Sequence, residues 1–317
     1  MNRFLFITAN ENERTAFEAK FVKRASDAKK YIKSAPYYLG TFGKYPAAYI
    51  HIEEQGVTSP AAMPLVGPLI DQLRPAAVVM PGIAFGVDEC AQKIGDVLVS
   101  DKILPYDSQR LKKNETEYKE TPKEVGFKLL NAFRDHREWD YSLPESRGQS
   151  VVHIGAILTG SRLVNNYMYR EKLIKDFKKY KPIGGEMEAQ GVYSMARLYG
   201  VSEWIIIKGI CDWGYKKDNP DKDKDQLIAA SAAVDFCHHV FSRDGVFDPA
   251  DFYDGSEVPD SGAGADAGAG TGATPDATPD AAPRVAQGTT MIQTGNNVVQ
   301  IDCLSGNATF YMGGKKD

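Results

Sequence analysis

Three acidic residues stand where a carboxylate is costly unless it is paired or used. Glu13 follows the first apolar run, in ITANENERTAF. Glu188 lies in PIGGEMEAQGVY, at the start of a helix-like stretch, and Asp212 closes the most apolar run of the chain, in WIIIKGICDWGY. Carboxyl groups so placed can hold sugar hydroxyls, handle a water molecule or deliver a proton. Each also has a plain structural alternative. Glu13, Glu186 and Glu188 could be first-turn acids that suit a helix dipole. Asp212 could cap a helix or shape a turn. After the run ending at Met80, Gly82-Ile83-Ala84-Phe85-Gly86 predicts a glycine-rich turn whose backbone can approach a ligand closely. His153, His238 and His239 have no HExxH or comparable spacing, and the four cysteines are scattered, so no metal site is expected. Lys216, Lys217, Lys222 and Lys224 read as an ordinary solvated loop.

Alternating strands and helices must position these groups. Strand-like runs cover Phe4–Thr8, Ala47–Ile52, Ala77–Met80, Asp96–Ser100, Val151–Ile157 and Trp204–Ile210. Several are continuously apolar, as in strands covered on both faces. Thr121-Pro122 suggests a helix start, with Val125, Leu129, Leu130 and Phe133 following at helical spacing. Met187–Tyr199 and Gln226–Phe241 are also helix-like. The alternation predicts an α/β fold, a three-layer sandwich around a central mixed, largely parallel sheet, with ligands beyond the carboxyl ends of its strands.

The whole chain of 317 residues carries 38 Lys+Arg against 42 Asp+Glu, a formal charge of −4 that gives no global reason to bind nucleic acid or an anionic membrane. Apolar residues make up 43%, enough for a sizeable core, yet no stretch is long enough to span a bilayer. The first residues lack the pattern of a signal peptide and the cysteines lack a disulfide framework, so a cytoplasmic location is expected. Composition changes after Tyr253. Residues 1–253 form the expected catalytic domain, 254–288 a flexible linker rich in Ala, Gly, Asp and Pro, and 289–317 a short β-prone segment.

Taken in order, ITANENE, PGIAFGVDE with IGDVLVSD, GAILTGSRLVNN, GGEMEAQGVYSMARLYGV and IIIKGICDWG resemble the purine nucleoside phosphorylase/nucleosidase superfamily. The likeness spans roughly Phe4 to Phe241 and looks closest to the modules of bacterial immune effectors and fungal NLR-type proteins. It implies that Asp212 hydrogen-bonds or protonates the purine N7, easing departure of the base. It implies that Glu188 holds the ribose hydroxyls, that Met187 packs against the sugar, and that Glu13 activates water. Gly82, Ala84, Phe85 and Gly86 would line the ribose and base. No cofactor is implied. The expected partner is a purine nucleoside or nucleotide, in a homo-oligomer, and the related modules suggest a role in antiviral defence.

Hydrolysis is favoured over phosphorolysis. The phosphorolytic branch has arginines near the first strand and before the glycine-rich turn, whereas Met80-Pro81 stand here, and an acid at Glu13 would repel phosphate. The expected activity is therefore that of an N-ribosyl hydrolase; the alternatives are a salvage phosphorylase and a non-catalytic nucleotide sensor. Ile83 and Leu163 replace a hydroxyl residue and a base-stacking aromatic, which leaves base recognition to Phe85, Trp213 or Tyr215. Arg162, Lys208 and Lys216 are candidates to meet substrate phosphates.

In the tail, Val298–Ile301 and Ala308–Met312 are apolar runs around the turn-like Ser305-Gly306-Asn307. They suit a two-stranded hairpin docked on the first domain, or strands that pair with another chain. GNNVVQID resembles bacterial amyloid signalling and RHIM-type motifs, although Asp302 replaces the usual glycine.

Overall fold

The computed structural model describes residues 3–24, 29–52, 62–111, 116–135, 138–248, 289–294, 297–302 and 308–312. The chain divides into two units, Met1–Glu257 and Val258–Asp317.

The first unit begins with β1 (Phe4–Thr8) and α1 (Glu11–Glu18), followed by β2 (Val22–Lys23), β3 (Lys29–Ile32), β4 (Ala35–Phe42), β5 (Tyr45–His51) and α2 (Ala62–Leu73). Next come β6 (Ala77–Gly86), β7 (Val97–Pro105), β8 (Gln109–Leu111), β9 (Thr116–Tyr118), β10 (Lys123–Glu124) and α3 (Phe127–Arg134). It closes with β11 (Val152–Thr159), α4 (Tyr167–Asp176), β12 (Gly184–Glu186), α5 (Ala189–Leu198), β13 (Trp204–Asp212) and the long α6 (Lys222–Ser242).

The central sheet is mixed, as expected. β13, β6, β1 and β5 run parallel in that order, and antiparallel β4 extends the sheet beyond β5. At the other end the sheet curls. β6 pairs β13, β13 pairs β7, β7 pairs β11, β11 pairs β12, and β12 returns to β6, so five strands close into a ring. β1 and β13 are almost wholly buried, which is why they read as unbroken apolar runs. A cluster of Phe6, Phe17, Phe42 and Phe241 fills one side, with Phe6 and Phe42 centroids 4.6 Å apart. Truncating one of these rings to Ala costs about 3–5 kcal/mol. The alanines of α6 let it lie close on the sheet, and Gly209 of β13 completes the fit: a Cβ there would overlap the carbonyl of Ala229.

Two local expectations are corrected. Gly82–Gly86 is not a turn; β6 continues through it to Gly86. The helix expected at Thr121-Pro122 starts at Phe127 instead, because Lys123 and Glu124 pair with β7 first. Among the described residues no helix is long and apolar enough to cross a membrane.

In the second unit, β14 (Thr289–Thr294), β15 (Asn297–Asp302) and β16 (Ala308–Met312) form an antiparallel three-stranded sheet. The two expected strands do pair, with Val299 opposite Phe310; the third, β14, went unforeseen. The linker 254–288 and the turn Ser305-Gly306-Asn307 lie outside the described residues.

Candidate active site

A cleft of about 500 Å³, counting its open mouth, lies at the carboxyl ends of β1, β6, β12 and β13. It gathers Glu13, Glu188 and Asp212 from three distant segments, with Ala84, Phe85, Arg162, Val164 and Met187 in its walls.

Glu13 is placed by helix capping and by close backbone approach. Asn10 caps α1, its side chain accepting the Glu13 N–H at 3.0 Å. Glu13 is indeed a first-turn acid, but its carboxylate is buried and turned inward. It accepts the N–H of Ala9 at 2.7 Å and that of Ile83 at 2.8 Å. Gly82 makes room for it, since a Cβ there would overlap the carboxylate and sit 2.7 Å from Lys208 Nζ. That close approach explains a glycine in the middle of a strand.

Glu186 and Glu188 divide the two roles the sequence left open. Glu186, at the end of β12, accepts the N–H groups of Glu188 and Ala189, both at 2.9 Å, and so anchors the start of α5. Glu188 sits at the N-cap position, yet its side chain makes no cap hydrogen bond. Its carboxylate lines the cleft instead.

Lys208 binds these acids together. It is fully buried, and its Nζ lies 3.4 Å from Glu188, 3.8 Å from Glu13 and 3.8 Å from Glu186. Burial alone would lower the lysine's pKa, but three carboxylates outweigh it and hold the ammonium charged well above the usual range. Burial raises Glu13 above the ordinary carboxyl value, with Lys208 opposing and Glu188 reinforcing the shift. Burial likewise lifts Glu186 to about 7. The expectation that Lys208 meets substrate phosphates is therefore corrected, because its charge is spent on these acids.

Asp212 ends β13 at a bulge. Ile210 pairs with Ala84 and Asp212 with Phe85, leaving Cys211 as the extra residue. Bulges of this kind re-aim a side chain. One Asp212 oxygen accepts the Gly214 N–H at 2.7 Å. The other accepts the Cys211 thiol at 3.2 Å and lies 3.2 Å from Lys217 Nζ.

Lys217 thus belongs to the cleft, not to a solvated loop, and its side chain is only 14% exposed. Trp213 is not among the lining residues; it packs on Gly86 and Ile210, behind the wall. Gly82 and Gly86 are not lining residues either and act from behind Glu13 and Trp213. Arg162 and Leu163 stand exposed at the rim. Asn10, Lys217 and Gln226 were not anticipated as site residues. No spacing in the sequence marked these three, whereas Lys208 inside the apolar run IIIKGI signalled nearby acids, since a buried strand tolerates a lysine only beside them.

The sequence pattern of the phosphorylase superfamily matches residues 3–242. The chain belongs to this superfamily. A curated relative, the death domain-containing ATP nucleosidase of Amphimedon queenslandica, is 26% identical over 64% of this chain and 41% of its own length. The chain thus spans about two fifths of that relative. Among solved structures, the 5′-methylthioadenosine/S-adenosylhomocysteine nucleosidase of Neisseria meningitidis superposes with a TM-score of 0.62 at 16% identity, covering 76% of this chain and 99% of that one. The corresponding enzyme of Colwellia psychrerythraea, in complex with adenine, gives 0.62 at 17%, covering 76% and 94%. The futalosine hydrolase of Helicobacter pylori gives 0.61 at 16%, covering 75% and 97%. These similarities establish the superfamily fold.

Proposed function

We propose that the protein is a purine nucleosidase, hydrolysing the N-glycosidic bond of an adenosine-type nucleoside or nucleotide. The observation that carries this reading is the convergence of Glu13, Glu188 and Asp212 on one cleft, with Lys208 balancing the buried charge. The division of labour follows from position. Asp212 hydrogen-bonds or protonates the base nitrogen as the base departs. Glu188 accepts hydrogen bonds from the ribose hydroxyls, contacts that tighten as the sugar gains positive charge. Glu13, made a stronger base by burial, takes a proton from water as its oxygen bonds to the anomeric carbon. Water is split between the products: hydroxyl to the sugar, proton to the base.

Hydrolysis is preferred because the described side chains lining the cleft put no spare cation beside Glu13. Lys208 is enclosed by carboxylates and Lys217 is engaged by Asp212. The similarity to an ATP nucleosidase supports an adenine nucleotide as substrate. The same relative's name joins a nucleosidase to a death domain, which supports an effector role here, with the strands of the second unit recruiting a like segment of a partner. Turnover of adenosine, AMP and ATP in ¹⁸O water tests the chemistry. Label should appear at the anomeric oxygen of the released sugar. A sugar 1-phosphate formed only when phosphate is added would make the protein a phosphorylase instead.

A further inference from the structure

A second cavity, about 850 Å³ with its open mouth, lies across the first turn of α1 from the cleft. Among the described residues its walls include Arg14, Lys33, Ser34, Tyr38 and His51 and no acidic side chain. The first turn of α1 contributes side chains to both cavities. Asn10 and Glu13 face the cleft, and Arg14 faces the second cavity. His51 bonds Thr8 Oγ1 at 3.0 Å, one residue before the Ala9 amide that holds Glu13. One helical turn rises only about 5.4 Å.

The segment of sequence that leads to Lys33 is basic out of proportion to the chain. Residues 20–33 hold six Lys or Arg and a single acid, in a protein of charge −4. Lys23 Nζ lies 4.4 Å from the Tyr38 ring centroid and is paired with Glu18 at 3.1 Å. Glu11 and Glu18 pair with Arg14, and Glu11 also lies 3.4 Å from His51, so these acids hold the basic groups in place and partly offset them. Lys33 does not share that arrangement. It occupies the two-residue turn between β3 and β4, where Lys33 and Ser34 have φ of 45° and 69°. Such turns favour Asn-Gly, and non-glycine residues with positive φ carry strain that is retained where the side chains have work to do.

Orientation of the substrate supplies the second argument, which rests on the nucleosidase reading. With the base at Asp212 and the ribose at Glu188 and Glu13, the 5′ carbon leaves the cleft at the end away from the base. Lys217 stands at the base end, paired with Asp212, so it is badly placed for 5′-phosphates. We propose that the cavity formed by Arg14, Lys33, Ser34, Tyr38 and His51 is a polyphosphate subsite that receives the 5′-phosphate chain of a nucleotide substrate. The Arg14 guanidinium, the Lys33 ammonium and the hydroxyls of Ser34 and Tyr38, with no acid among the described lining residues, are the chemistry that phosphate oxygens require.

The test compares ATP with adenosine in wild type, Lys33→Gln and Arg14→Gln, using inorganic tripolyphosphate as the probe. For each variant kcat/KM on ATP should fall at least tenfold more than on adenosine, mainly through KM, and tripolyphosphate should compete with ATP. Equal losses on the two substrates, or none, would overturn the proposal. So would tripolyphosphate that alters turnover without competing, which marks a separate effector site. If wild type releases base from neither substrate, the nucleosidase reading fails on its own. The subsite is then judged by calorimetric binding of tripolyphosphate: binding weakened by Lys33→Gln supports it, and absent or unaltered binding rejects it.

Discussion

Replacing Lys208 with Met should destabilise the first unit severely, and the damage should grow with pH. The lysine faces three buried carboxylates at 3.4–3.8 Å. Removing one partner of a buried ionic cluster costs about 3–5 kcal/mol, and here three acids lose their cation together. The chain's cheapest response is to protonate them. Glu186, already lifted to about 7, takes a proton at pH 8 for roughly 1.4 kcal/mol. Glu13, raised by burial but also steadied by Lys208, costs more. The sign follows from linkage. A carboxyl whose folded pKa lies above its unfolded value gives stability that is present at low pH and lost as pH rises through the folded pKa. Without Lys208 the folded values climb further, so the window of loss extends upward. Thermal melts of wild type and Lys208→Met from pH 6 to 9 check this. At pH 8 the variant should melt about 6–20 °C lower, taking 2–4 °C per kcal/mol for a domain of this size. The gap should narrow towards pH 6, and adding Glu186→Gln should recover part of it. A gap under 2 °C at pH 8, or one that shrinks as pH rises, would refute the charge argument.

Asp212→Asn should cut base release by about 10²–10⁴-fold while leaving the melting temperature near wild type, read by adenine production beside a thermal melt. Glu188→Gln should lower kcat more than it raises KM, since ribose contacts strengthen in the transition state; a change confined to KM would contradict that role. Gly82→Ala should displace the Glu13 carboxylate and depress kcat at least tenfold, an order-of-magnitude expectation for a misplaced catalytic group; crystallography or ¹⁸O turnover checks it. Deleting residues 258–317 should leave the melting transition of the first unit in place, because the two units are separately compact; a lowered transition would show that the strands of the tail support it.

Legibility tracked burial. Phe4–Thr8 and Trp204–Asp212 were readable because strands covered on both faces must be apolar throughout. Glu13, Glu188 and Asp212 were readable because an acid at such a strand end or helix start needs a reason. Gly82–Gly86 misled because glycine marks both turns and close approaches, and only the coordinates show a carboxylate lying against Gly82. α2 stayed hidden because Pro68 inside it argues against a helix. The choice between Glu186 and Glu188 could not be made from spacing, since it depends on which side chain turns back to the backbone. Lys217 looked like one lysine of a solvated loop because its partner, Asp212, is reached through a turn and not by periodicity. The basic second cavity was concealed by a global charge near neutrality.

The closed ring of strands has a consequence for how the site breathes. β12 has three residues and would fray if it were an edge, but it is paired to β11 on one side and β6 on the other. A strand held on both sides exposes its amides to solvent only when the ring itself opens. Gly184, Gly185 and Glu186 should therefore exchange their amide hydrogens about as slowly as the deepest core strands, while the rim around Arg162 and Leu163 exchanges fast. The part of the cleft floor formed by Gly185 and Glu186 would then be among the last parts of the fold to loosen, and ligand entry would be governed by the rim alone.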